Sequence, residues 1–598
     1  HQAKIEEKPE VKKAGGVYYT PKYIVDYIVE NTVGRLVEGK SPKEAEKLRI
    51  LDPACGSGSF LIGAYQYLLD WHLKWYLEHE PQMHRKGKEP RITDTPSGGL
   101  KLTTAEKKRI LLNNIYGVDI DSQAVEVTKL SLLLKVLEGE RQLVLFHKER
   151  ALPDLGANIK CGNSLIGPDF YEGKQMTMFD EEEHFKINAF DWRAEFEEVF
   201  RGKRKATEGT EKEEGFDVVI GNPPYIPLEL MTYFERDYYR QKNPFLERKY
   251  DSAVIFIAQM IQKLNSNGLL SFISSVTWQT GQNYSKLRKY LFENSGLQYL
   301  VNLPFNVFKN AYVDTGVYVF SKKEVTAYKI YQFPKKSKSF DMLSIPYKVV
   351  KSSFLASPDY KIILEPIAAN ILNRFLLMNE YVKLGDISIS TQGLSASRFQ
   401  TSGSKNNEMW FPFLEKGQTY RYRLQTDKIV FADMSEKKSL IPFYKASPKI
   451  LIRRVISRQD RLLCTYFEEE MVFKKDINPF IITNIEYDPF YVLGILNSTL
   501  FSFVYINTSS IATKDDFRQT TLAELRDMPL PKTNKNVNQF IQMVETMLGL
   551  QKSLAVARTP EEKKVYERQI MAVDGQIDRA VYELYGLGEE EIKMVEGG

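Results

Sequence analysis

Apolar residues follow two different periods along the first half of the chain. Short apolar runs at 48–53, 114–121, 158–162 and 216–225 have the length of buried strands, and the stretches between them include helical spacing of apolar positions. A further helix is predicted at about 252–264. Strands that alternate with helices in this way predict an α/β fold with a doubly wound parallel sheet.

The pattern changes past about residue 330. Helical spacing fades there, and short β-like runs such as KLGDISIS and KILIRRVIS stand between turn residues, which we interpret as an α+β domain. The last 60 or so residues return to a charged, amphipathic helical pattern. We therefore expect three parts: residues 1–345, beginning with a polar linker at 1–15, then residues 346–535, and a C-terminal helical segment at 536–598.

Composition narrows the class of protein. The chain has 598 residues, of which 43% are hydrophobic and 27% charged, as in ordinary globular domains. Its three cysteines lie far apart and its six histidines form no ligand-like cluster, so we expect neither a disulfide framework nor a metal site, and a cytoplasmic location. No apolar run reaches the roughly 18 residues of a membrane span. The net charge of +5 is compatible with a nucleic-acid partner without requiring one.

A glycine-rich turn, DPACGSGSF at 52–60, follows the first predicted strand. Gly56 and Gly58 let the backbone approach a ligand at the carboxyl edge of the sheet. The turn lacks the third glycine of a dinucleotide fingerprint and the GK[ST] of a P-loop, which disfavours pyrophosphate and triphosphate ligands. Asp119 ends the second strand, where a carboxylate can accept both hydroxyls of a ribose, and Asp121 is placed to cap the next helix. A tight turn without a ligand is the alternative.

The motif Asn222-Pro223-Pro224-Tyr225 follows the fourth apolar run, FDVVI. Two prolines fix two φ angles and cannot donate hydrogen bonds, so we expect their carbonyls to be rigid, free acceptors beside the Asn222 side-chain oxygen. Neighbouring acceptors suit a planar amino group with two N–H donors, and the Tyr225 ring offers a face for an unstacked base. The alternative is a Pro-Pro turn in which Asn222 bonds the backbone and Tyr225 packs in the core.

DPACGSG, GVDID and NPPY occur in an order that resembles the S-adenosylmethionine-dependent amino-methyltransferases of the gamma class. The NPPY pattern is typical of adenine-N6 methylation of DNA, whereas cytosine-N4 enzymes more often begin this motif with serine. The resemblance spans about residues 16–320. It implies a Rossmann-like methyltransferase domain that binds S-adenosylmethionine.

The resemblance also implies roles for individual residues. GVYYTPKYIVDYIV is similar to the N-terminal motif that flanks the methionine part of the cofactor. Phe308 is similar to the aromatic residue that packs on the flipped base opposite Tyr225, and an ordinary core position is the alternative for it. The implied catalytic residues are Asn222, Pro223, Pro224 and Tyr225, and the implied cofactor contacts are Tyr19, Thr20, Pro21, Asp52, Ala54, Gly56, Asp119, Ile120, Asn163 and Asn222.

The implied reaction is methyl transfer to N6 of an adenine in duplex DNA. The lone pair of this nitrogen is delocalised into the ring, so acceptors from Asn222 and the Pro223 carbonyl are expected to orient it and to stabilise the positive charge that develops. The base must leave the helix stack to reach such a pocket.

Residues 421–460 concentrate positive charge, with ten Lys/Arg against four Asp/Glu and aromatic residues between them. Neutralisation of phosphates would supply affinity for DNA, and Lys428, Lys445, Arg453, Arg454 and Arg458 are candidate contacts. Simple solvation is the alternative for each of them. The run from KLGDI to LRDMPLPK resembles the target-recognition domain of type IIG restriction–modification enzymes.

Type IIG enzymes usually carry a nuclease upstream on the same chain. PDFYEGK at 168–174 contains the letters of a nuclease motif, but they are nearly adjacent and lie in a polar insertion, so we interpret them as chance. Either the chain is a separate methyltransferase, or a nuclease domain precedes it in the parent protein, and the start at His1 rather than Met favours the second. Two other functions stay open: methylation of RNA or of a protein amide, and a DNA-binding specificity module with an inactive, cofactor-sensing fold.

Overall fold

The computed structural model divides the chain into two compact units, His1–Ile362 and Ile363–Gly598. The predicted boundaries at 345/346 and 535/536 remain predictions. The structure describes residues 20–95, 98–139, 152–172, 187–200, 214–304, 307–308, 314–334, 341–342, 344–351, 360–377, 380–509, 518–532 and 537–597.

The first unit alternates strands and helices. Its described strands are β1 (Ile50–Asp52), β2 (Ile92–Asp94), β3 (Leu100–Leu102), β4 (Ile115–Asp119), β5 (Ile159–Cys161), β6 (Phe216–Gly221), β7 (Leu264–Ser275), β8 (Gly296–Asn302), β9 (Thr315–Ser321), β10 (Ala327–Gln332) and β11 (Lys348–Lys351). Its described α-helices are α1 (Lys22–Val29), α2 (Arg35–Val37), α3 (Pro42–Ala45), α4 (Ser59–Glu78), α5 (Pro81–His84), α6 (Thr104–Asn114), α7 (Ser122–Leu137), α8 (Trp192–Glu195), α9 (Glu197–Phe200), α10 (Tyr233–Lys242), α11 (Ser252–Lys263), α12 (Thr277–Thr280) and α13 (Ser285–Asn294). A π-helical turn, Glu30–Gly34, continues α1.

Nine of the described strands form one sheet in the order β11-β10-β8-β9-β7-β6-β1-β4-β5. Strands β7, β6, β1, β4 and β5 are parallel to their neighbours in this series. β9 is antiparallel to both β7 and β8. The four strands predicted in the first half of the chain are confirmed, each in a shorter form.

Burial explains the apolar run at β6. Val218, Val219 and Ile220 are all fully buried although successive side chains point to opposite faces of a sheet. Both faces are therefore covered, as is usual for a parallel sheet between helices. Because these strands are parallel, their carboxyl ends meet at one edge of the sheet. The sequence changes from apolar to polar residues at that edge.

Close packing fixes the start of the first helix. Gly63 on α4 faces Val25 on α1, and a Cβ at position 63 would lie 2.5 Å from Val25 Cγ1. Ile24 and Ile28 of α1 are fully buried in the same hydrophobic cluster. This contact holds the N-terminal end of α1, next to Thr20, against the sheet domain.

The second unit contains smaller sheets and several helices. Its described strands are β12 (Tyr381–Lys383), β13 (Ser388–Ser390), β14 (Thr401–Ser402), β15 (Trp410–Tyr420), β16 (Arg423–Asp433), β17 (Lys449–Arg453), β18 (Cys464–Phe467), β19 (Val472–Phe473), β20 (Ile477–Ile482) and β21 (Pro529–Pro531). Its described α-helices are α14 (Pro366–Leu377), α15 (Leu384–Ile387), α16 (Ile441–Lys445), α17 (Pro489–Asn497), α18 (Thr499–Thr508), α19 (Leu522–Asp527), α20 (Val537–Val556), α21 (Pro560–Leu584) and α22 (Glu589–Val595). The sheets have the orders β13-β20-β17-β18, β14-β16-β15-β19 and β12-β21.

The β-like run KLGDISIS is only partly a strand. Its first half forms the helical turn α15, and only Ser388–Ser390 pairs, with β20. Leu384 and Ile387 are both buried at a spacing of three, which fits a helical turn and not a strand.

In the described part of the chain, no single helix is long and apolar enough to cross a membrane. Helices α17 and α18 reach that length and composition only when taken together, and they are bent by 65° relative to each other.

Candidate active site

Parallel strands bring the predicted site residues to one edge of the first unit's sheet. Asp52 ends β1, Asp119 ends β4 and Gly221 ends β6. A Cβ at position 221 would lie 2.6 Å from Asp52 Oδ1, so the start of the NPPY motif touches the glycine-rich turn. The Ser164 hydroxyl, after β5, donates to the Pro53 carbonyl at 2.5 Å. Segments that are far apart in the sequence therefore form one site.

Asp119 organises the glycine-rich turn. Its Oδ2 accepts from the Gly56 N–H at 2.7 Å, and its Oδ1 accepts from the Asp121 N–H at 2.9 Å. Gly56 has a φ of +52°, and the Thr128 hydroxyl donates to its carbonyl at 2.7 Å. Burial raises the pKa of Asp119. Backbone N–H groups of Asp121, Gly56 and Ile120 act in the opposite direction on this pKa. A carboxylate offers about four lone pairs, so Asp119 can still accept from a hydroxyl donor. The predicted cap is confirmed, since Asp121 Oδ1 accepts from the Gln123 N–H at 2.9 Å.

Asp52 is a buried carboxyl group in contact with the same turn. Its side chain is almost inaccessible, and Oδ1 accepts from the Ala54 N–H at 3.1 Å. Desolvation, assisted by the nearby charge of Asp119, raises the pKa of Asp52 to about 8, although the Ala54 N–H acts in the opposite direction. A cationic ligand group at this position would favour the ionised form.

Both the nitrogen and the oxygen of the Asn222 side-chain amide form hydrogen bonds. Its Nδ2 donates to Thr20 Oγ1 at 3.2 Å, and its Oδ1 accepts from the Tyr225 hydroxyl at 2.7 Å. The Tyr225 oxygen also lies 3.0 Å from the Ile273 carbonyl on β7. Helix α1 begins at Lys22 and has no side-chain cap, so the Thr20 hydroxyl contacts the NPPY motif and not the helix end. An amide oxygen can accept from two donors.

One part of the predicted acceptor set is wrong. The Pro224 carbonyl is not free, because the Ser252 hydroxyl at the start of α11 donates to it. Among the described residues, no group donates to the Pro223 carbonyl. Sequence reasoning missed Ser252, since the pair Asp251-Ser252 before a helix is equally typical of ordinary capping.

The remaining first-unit predictions have different outcomes. Asn163 Oδ1 accepts from the Leu165 N–H at 3.0 Å, so a local turn uses part of this amide. Ile120 follows the strand end and is 50% exposed. Phe308 is only 5% exposed and belongs to the hydrophobic cluster of this unit, so its stacking role stays a prediction. Tyr19 lies outside the described residues.

Two predicted DNA contacts in the second unit have partners of their own. Lys428 on β16 forms an ion pair with Glu415 on β15, with 2.6 Å between Nζ and Oε2. Lys445, at the end of α16, is exposed, and its Nζ lies 5.3 Å from the centre of the Phe411 ring.

The same basic run divides into exposed and structural cations. Arg453 and Arg454 are half-buried and Arg458 is exposed. Arg421, in contrast, makes a two-bond pair with Asp574, one bond of which measures 2.7 Å. Lys449 donates to the Tyr444 and Glu469 carbonyls at 2.6 and 3.0 Å, and burial lowers the pKa of Lys449 to about 8. Counting charges in the sequence could not separate these two groups.

Family models match both units of the chain. Residues 6–151 match the N-6 DNA methylase model and residues 113–308 match the Eco57I restriction-modification methylase model. Residues 374–530 match the TaqI-like C-terminal specificity domain. The chain resembles the methyltransferase and specificity regions of type II restriction–modification enzymes.

Individual restriction–modification relatives agree with these models. A protein of Methanocaldococcus jannaschii named as a type II restriction enzyme and methyltransferase is 30% identical over 96% of this chain and 58% of its own length. The type II restriction enzyme and methyltransferase RM.Eco57I of Escherichia coli is 32% identical over 53% of this chain and 29% of its own length. The chain thus spans a little over half the length of the first relative and less than a third of the second.

A solved restriction–modification structure has a similar fold. The type IIL enzyme MmeI, determined in complex with DNA, aligns with a TM-score of 0.56 and 13% identity. The alignment covers 96% of this chain and 75% of that one. A mixed α/β methyltransferase-like domain followed by a specificity domain is therefore the architecture of the chain.

Proposed function

We propose that this protein transfers the methyl group of S-adenosylmethionine to N6 of a flipped-out adenine in duplex DNA, on a Rossmann-like domain. The observation that carries the proposal is the Asn222 network, in which Thr20 and Tyr225 hold the amide at the sheet edge that also contains Asp52 and Asp119. An oriented amide oxygen beside a nucleoside-type site suits an amino-group acceptor.

The residues at this edge fit S-adenosylmethionine. Gly56 has a positive φ, and no described atom lies within 4 Å of the position of a Cβ there, so the backbone can approach a ligand closely. The buried Asp52 carboxyl would hold the amino acid end and Asp119 the ribose hydroxyls, with Asn163 and Ile120 beside the adenine. Bound S-adenosylmethionine supplies an electrophilic methyl group on a sulfonium sulfur.

The residues of the chain would prepare the target nitrogen. Asn222 Oδ1 and the Pro223 carbonyl would each accept one N–H of the amino group, which fixes its orientation and favours a more tetrahedral nitrogen. The same two oxygens would stabilise the positive charge that grows on the nitrogen during transfer. The Tyr225 ring would support the extruded base, with Phe308 opposite.

The second unit would select the DNA site. The proposed contacts with phosphates or bases are Lys445, Arg453, Arg454 and Arg458. Lys428 would join them once its ion pair with Glu415 is broken. The relatives' names join a restriction enzyme to a methyltransferase. We therefore propose that the chain is the modification and specificity portion of a type IIG-like protein with an upstream nuclease, acting in the cytoplasm.

The substrate class can be tested with tritium-labelled S-adenosylmethionine. Purified protein would be incubated in parallel with duplex DNA from a methylation-deficient host, with total RNA and with a protein extract. Label in N6-methyladenine of DNA is expected. Label confined to RNA or protein would refute the DNA assignment, and binding of DNA and cofactor without any transfer would favour a specificity module. Methylome sequencing of a host that expresses the chain would then identify the site.

Asn222→Ala tests the catalytic assignment. Loss of an oriented acceptor is expected to lower the transfer rate by roughly 100-fold or more, with little change in the Kd for S-adenosylhomocysteine. Asn294→Ala removes an exposed amide at the end of α13 and is the matched control. Normal methylation by Asn222→Ala would show that the assignment is wrong.

A further inference from the structure

The two prolines of the NPPY motif use their carbonyls differently. Ser252 donates its hydroxyl proton to the Pro224 carbonyl, whereas no described group donates to the Pro223 carbonyl. A motif with two adjacent proline carbonyls and one amide oxygen has three candidate acceptors, but a primary amino group has only two N–H donors. The contact with Ser252 occupies one lone pair of the Pro224 carbonyl and holds this third acceptor in place.

Ser252 is built into the fold at this point. Its hydroxyl also accepts from the Ile226 N–H at 2.9 Å, and its own N–H donates to the Ile226 carbonyl at 3.0 Å. Asp251, the preceding residue, caps α11 through the Val254 N–H at 3.3 Å. Ser252 is only 4% exposed. The first turn of α11 is therefore joined to both sides of Tyr225.

Backbone contacts also join the segment after the NPPY motif to the residues just before α11. Pro227 and Asp251 form an antiparallel bridge, and the Leu228 N–H donates to the Tyr250 carbonyl at 3.1 Å. Tyr225 itself is anchored to β7 through the Ile273 carbonyl. The chain after the motif thus has fixed partners, and the Ser252 hydroxyl is the side chain that reaches back into the motif itself.

We propose that Ser252 is a positioning residue for the methyl transfer, which rests on the proposed function of this site. By binding the Pro224 carbonyl it fixes the peptide plane between Pro224 and Tyr225. This fixed plane would set the direction of the preceding Pro223 carbonyl, which together with Asn222 Oδ1 is the proposed acceptor pair for the target amino group. Ser252 acts through the motif and does not touch the substrate.

Ser252→Ala tests this role, with Ser252→Thr as the variant that retains a hydroxyl. Single-turnover methyl transfer by Ser252→Ala is expected to slow at least tenfold, while the Kd for S-adenosylhomocysteine and the Kd for the duplex change less than twofold. Ser252→Thr is expected to recover most of the rate. Ser271→Ala is the matched control, because it removes a fully buried hydroxyl on β7 that has no hydrogen-bond partner among the described residues.

Rates would be normalised to the folded fraction, measured by cofactor titration below the melting temperature of each variant. An unchanged rate in Ser252→Ala would overturn the proposal. So would a rate loss that follows the loss of cofactor or duplex binding, or a loss that Ser252→Thr does not recover in folded protein, because these indicate a merely structural role.

The outcome is separable from that of the proposed function. If wild-type protein labels RNA or a protein amide and not DNA, the DNA assignment fails, and the comparison of Ser252 variants is made on that substrate. A tenfold loss there would still support the positioning role, whereas no loss would overturn it. Wild-type protein that transfers methyl to none of the substrates would overturn both proposals.

Discussion

Single residues at the sheet edge combine burial with charge. Asp52 is the clearest case, because desolvation raises the pKa of this carboxyl to about 8 and leaves it largely protonated at neutral pH. Its folded-state pKa lies above the value in an unfolded chain. Ionisation of Asp52 therefore opposes folding, and this opposition grows as pH rises from about 4 to about 8.

Asp52→Asn is expected to stabilise the protein at high pH. The amide oxygen can still accept from the Ala54 N–H, but it carries no charge to desolvate. At pH 4 and below the variant and wild type should unfold alike, and at pH 8 the variant should be more stable by an amount on the order of a few kcal/mol. The measurement is the melting temperature of each protein as a function of pH. A difference between the two proteins that stays constant across this range would contradict the prediction.

Ionisation of Asp52 opposes folding, but it should favour binding of the cofactor. An ammonium group beside the carboxyl favours its ionised form, so wild-type affinity for S-adenosylhomocysteine is expected to rise as pH increases from 6 to 8. Asp52→Asn should bind more weakly and with little dependence on pH. Calorimetric Kd values at several pH values would test this, and an equally steep dependence in the variant would count against Asp52 as the contact.

Tyr225 has separable contributions from its ring and its hydroxyl. Tyr225→Phe keeps the stacking face and removes the donor to Asn222 Oδ1. Tyr225→Ala removes both, and loss of base stacking should cost roughly 1–3 kcal/mol in kcat/KM on duplex DNA. We expect the phenylalanine variant to retain most of that stacking contribution. Equal losses in both variants would place the effect in the hydroxyl.

Residue roles could be predicted where one chemical property decides them. Asp121 follows a strand and precedes a helix, which is enough to indicate a cap, whereas the ligand role of Asp119 stays a prediction. Thr20 and Pro224 could not be assigned in this way. Their partners, Asn222 and Ser252, depend on how distant segments pack, and this information is absent from local sequence.

At the scale of elements, the β1–α4 turn combines backbone conformation with open space. Gly56 has a positive φ, which L side chains rarely adopt, and nothing described would touch a Cβ there. Gly139, after α7, has a φ of +81° and equally open surroundings. The two glycines therefore share the same conformational demand, but only Gly56 lies at the sheet edge.

This pair gives a matched test of the turn. Gly56→Ala and Gly139→Ala should each lose roughly 1 kcal/mol of stability through backbone strain. Only Gly56→Ala should also weaken binding of S-adenosylhomocysteine, by about tenfold or more, which corresponds to about 1.4 kcal/mol. Unfolding curves and calorimetry would measure the two effects, and unaltered binding in Gly56→Ala would remove the turn from the cofactor site.

Sequence periodicity predicted long, uniform elements better than short ones. β6 is a continuous apolar run and was identifiable for that reason, as was α11. The β2–β3 hairpin lies in a segment that its prolines, glycines and charges made look like a simple surface insertion. The helical turn α15 is only four residues long, and its two buried positions are too few to establish a helical period beside the β-like run that follows.

At the scale of the whole molecule, net charge overstates the surface available to DNA. Arg421 pairs with Asp574 on α21, and the nearby Arg461 donates to the Asn497 carbonyl at 2.6 Å. The first interaction joins the turn between β15 and β16 to the C-terminal helix α21, and the second joins Arg461 to the end of α17. Positive charge in this run therefore stabilises the fold at some positions and remains exposed at others.

Arg421→Ala and Arg458→Ala should consequently differ. Arg421→Ala leaves Asp574 largely buried without its partner and should lower the free energy of unfolding by roughly 2–4 kcal/mol. Arg458→Ala should leave stability nearly unchanged and reduce the salt dependence of DNA binding by about one unit of log–log slope. Denaturant unfolding and binding titrations at several salt concentrations would distinguish them. A slope unaffected by Arg458→Ala would remove it from the DNA contacts.

The reversed strand β9 has a consequence for protein engineering. β8 ends at Asn302 and β9 begins at Thr315, so the connection between them starts and finishes at the edge that carries the NPPY motif. A reciprocal amide pair between Asn302 and Gln279 fixes one anchor, at 2.9 and 3.0 Å. Exchanging the connection between these two strand ends among homologues, or diversifying it in a library, would thus vary a segment whose two ends are fixed at the edge of the proposed active site.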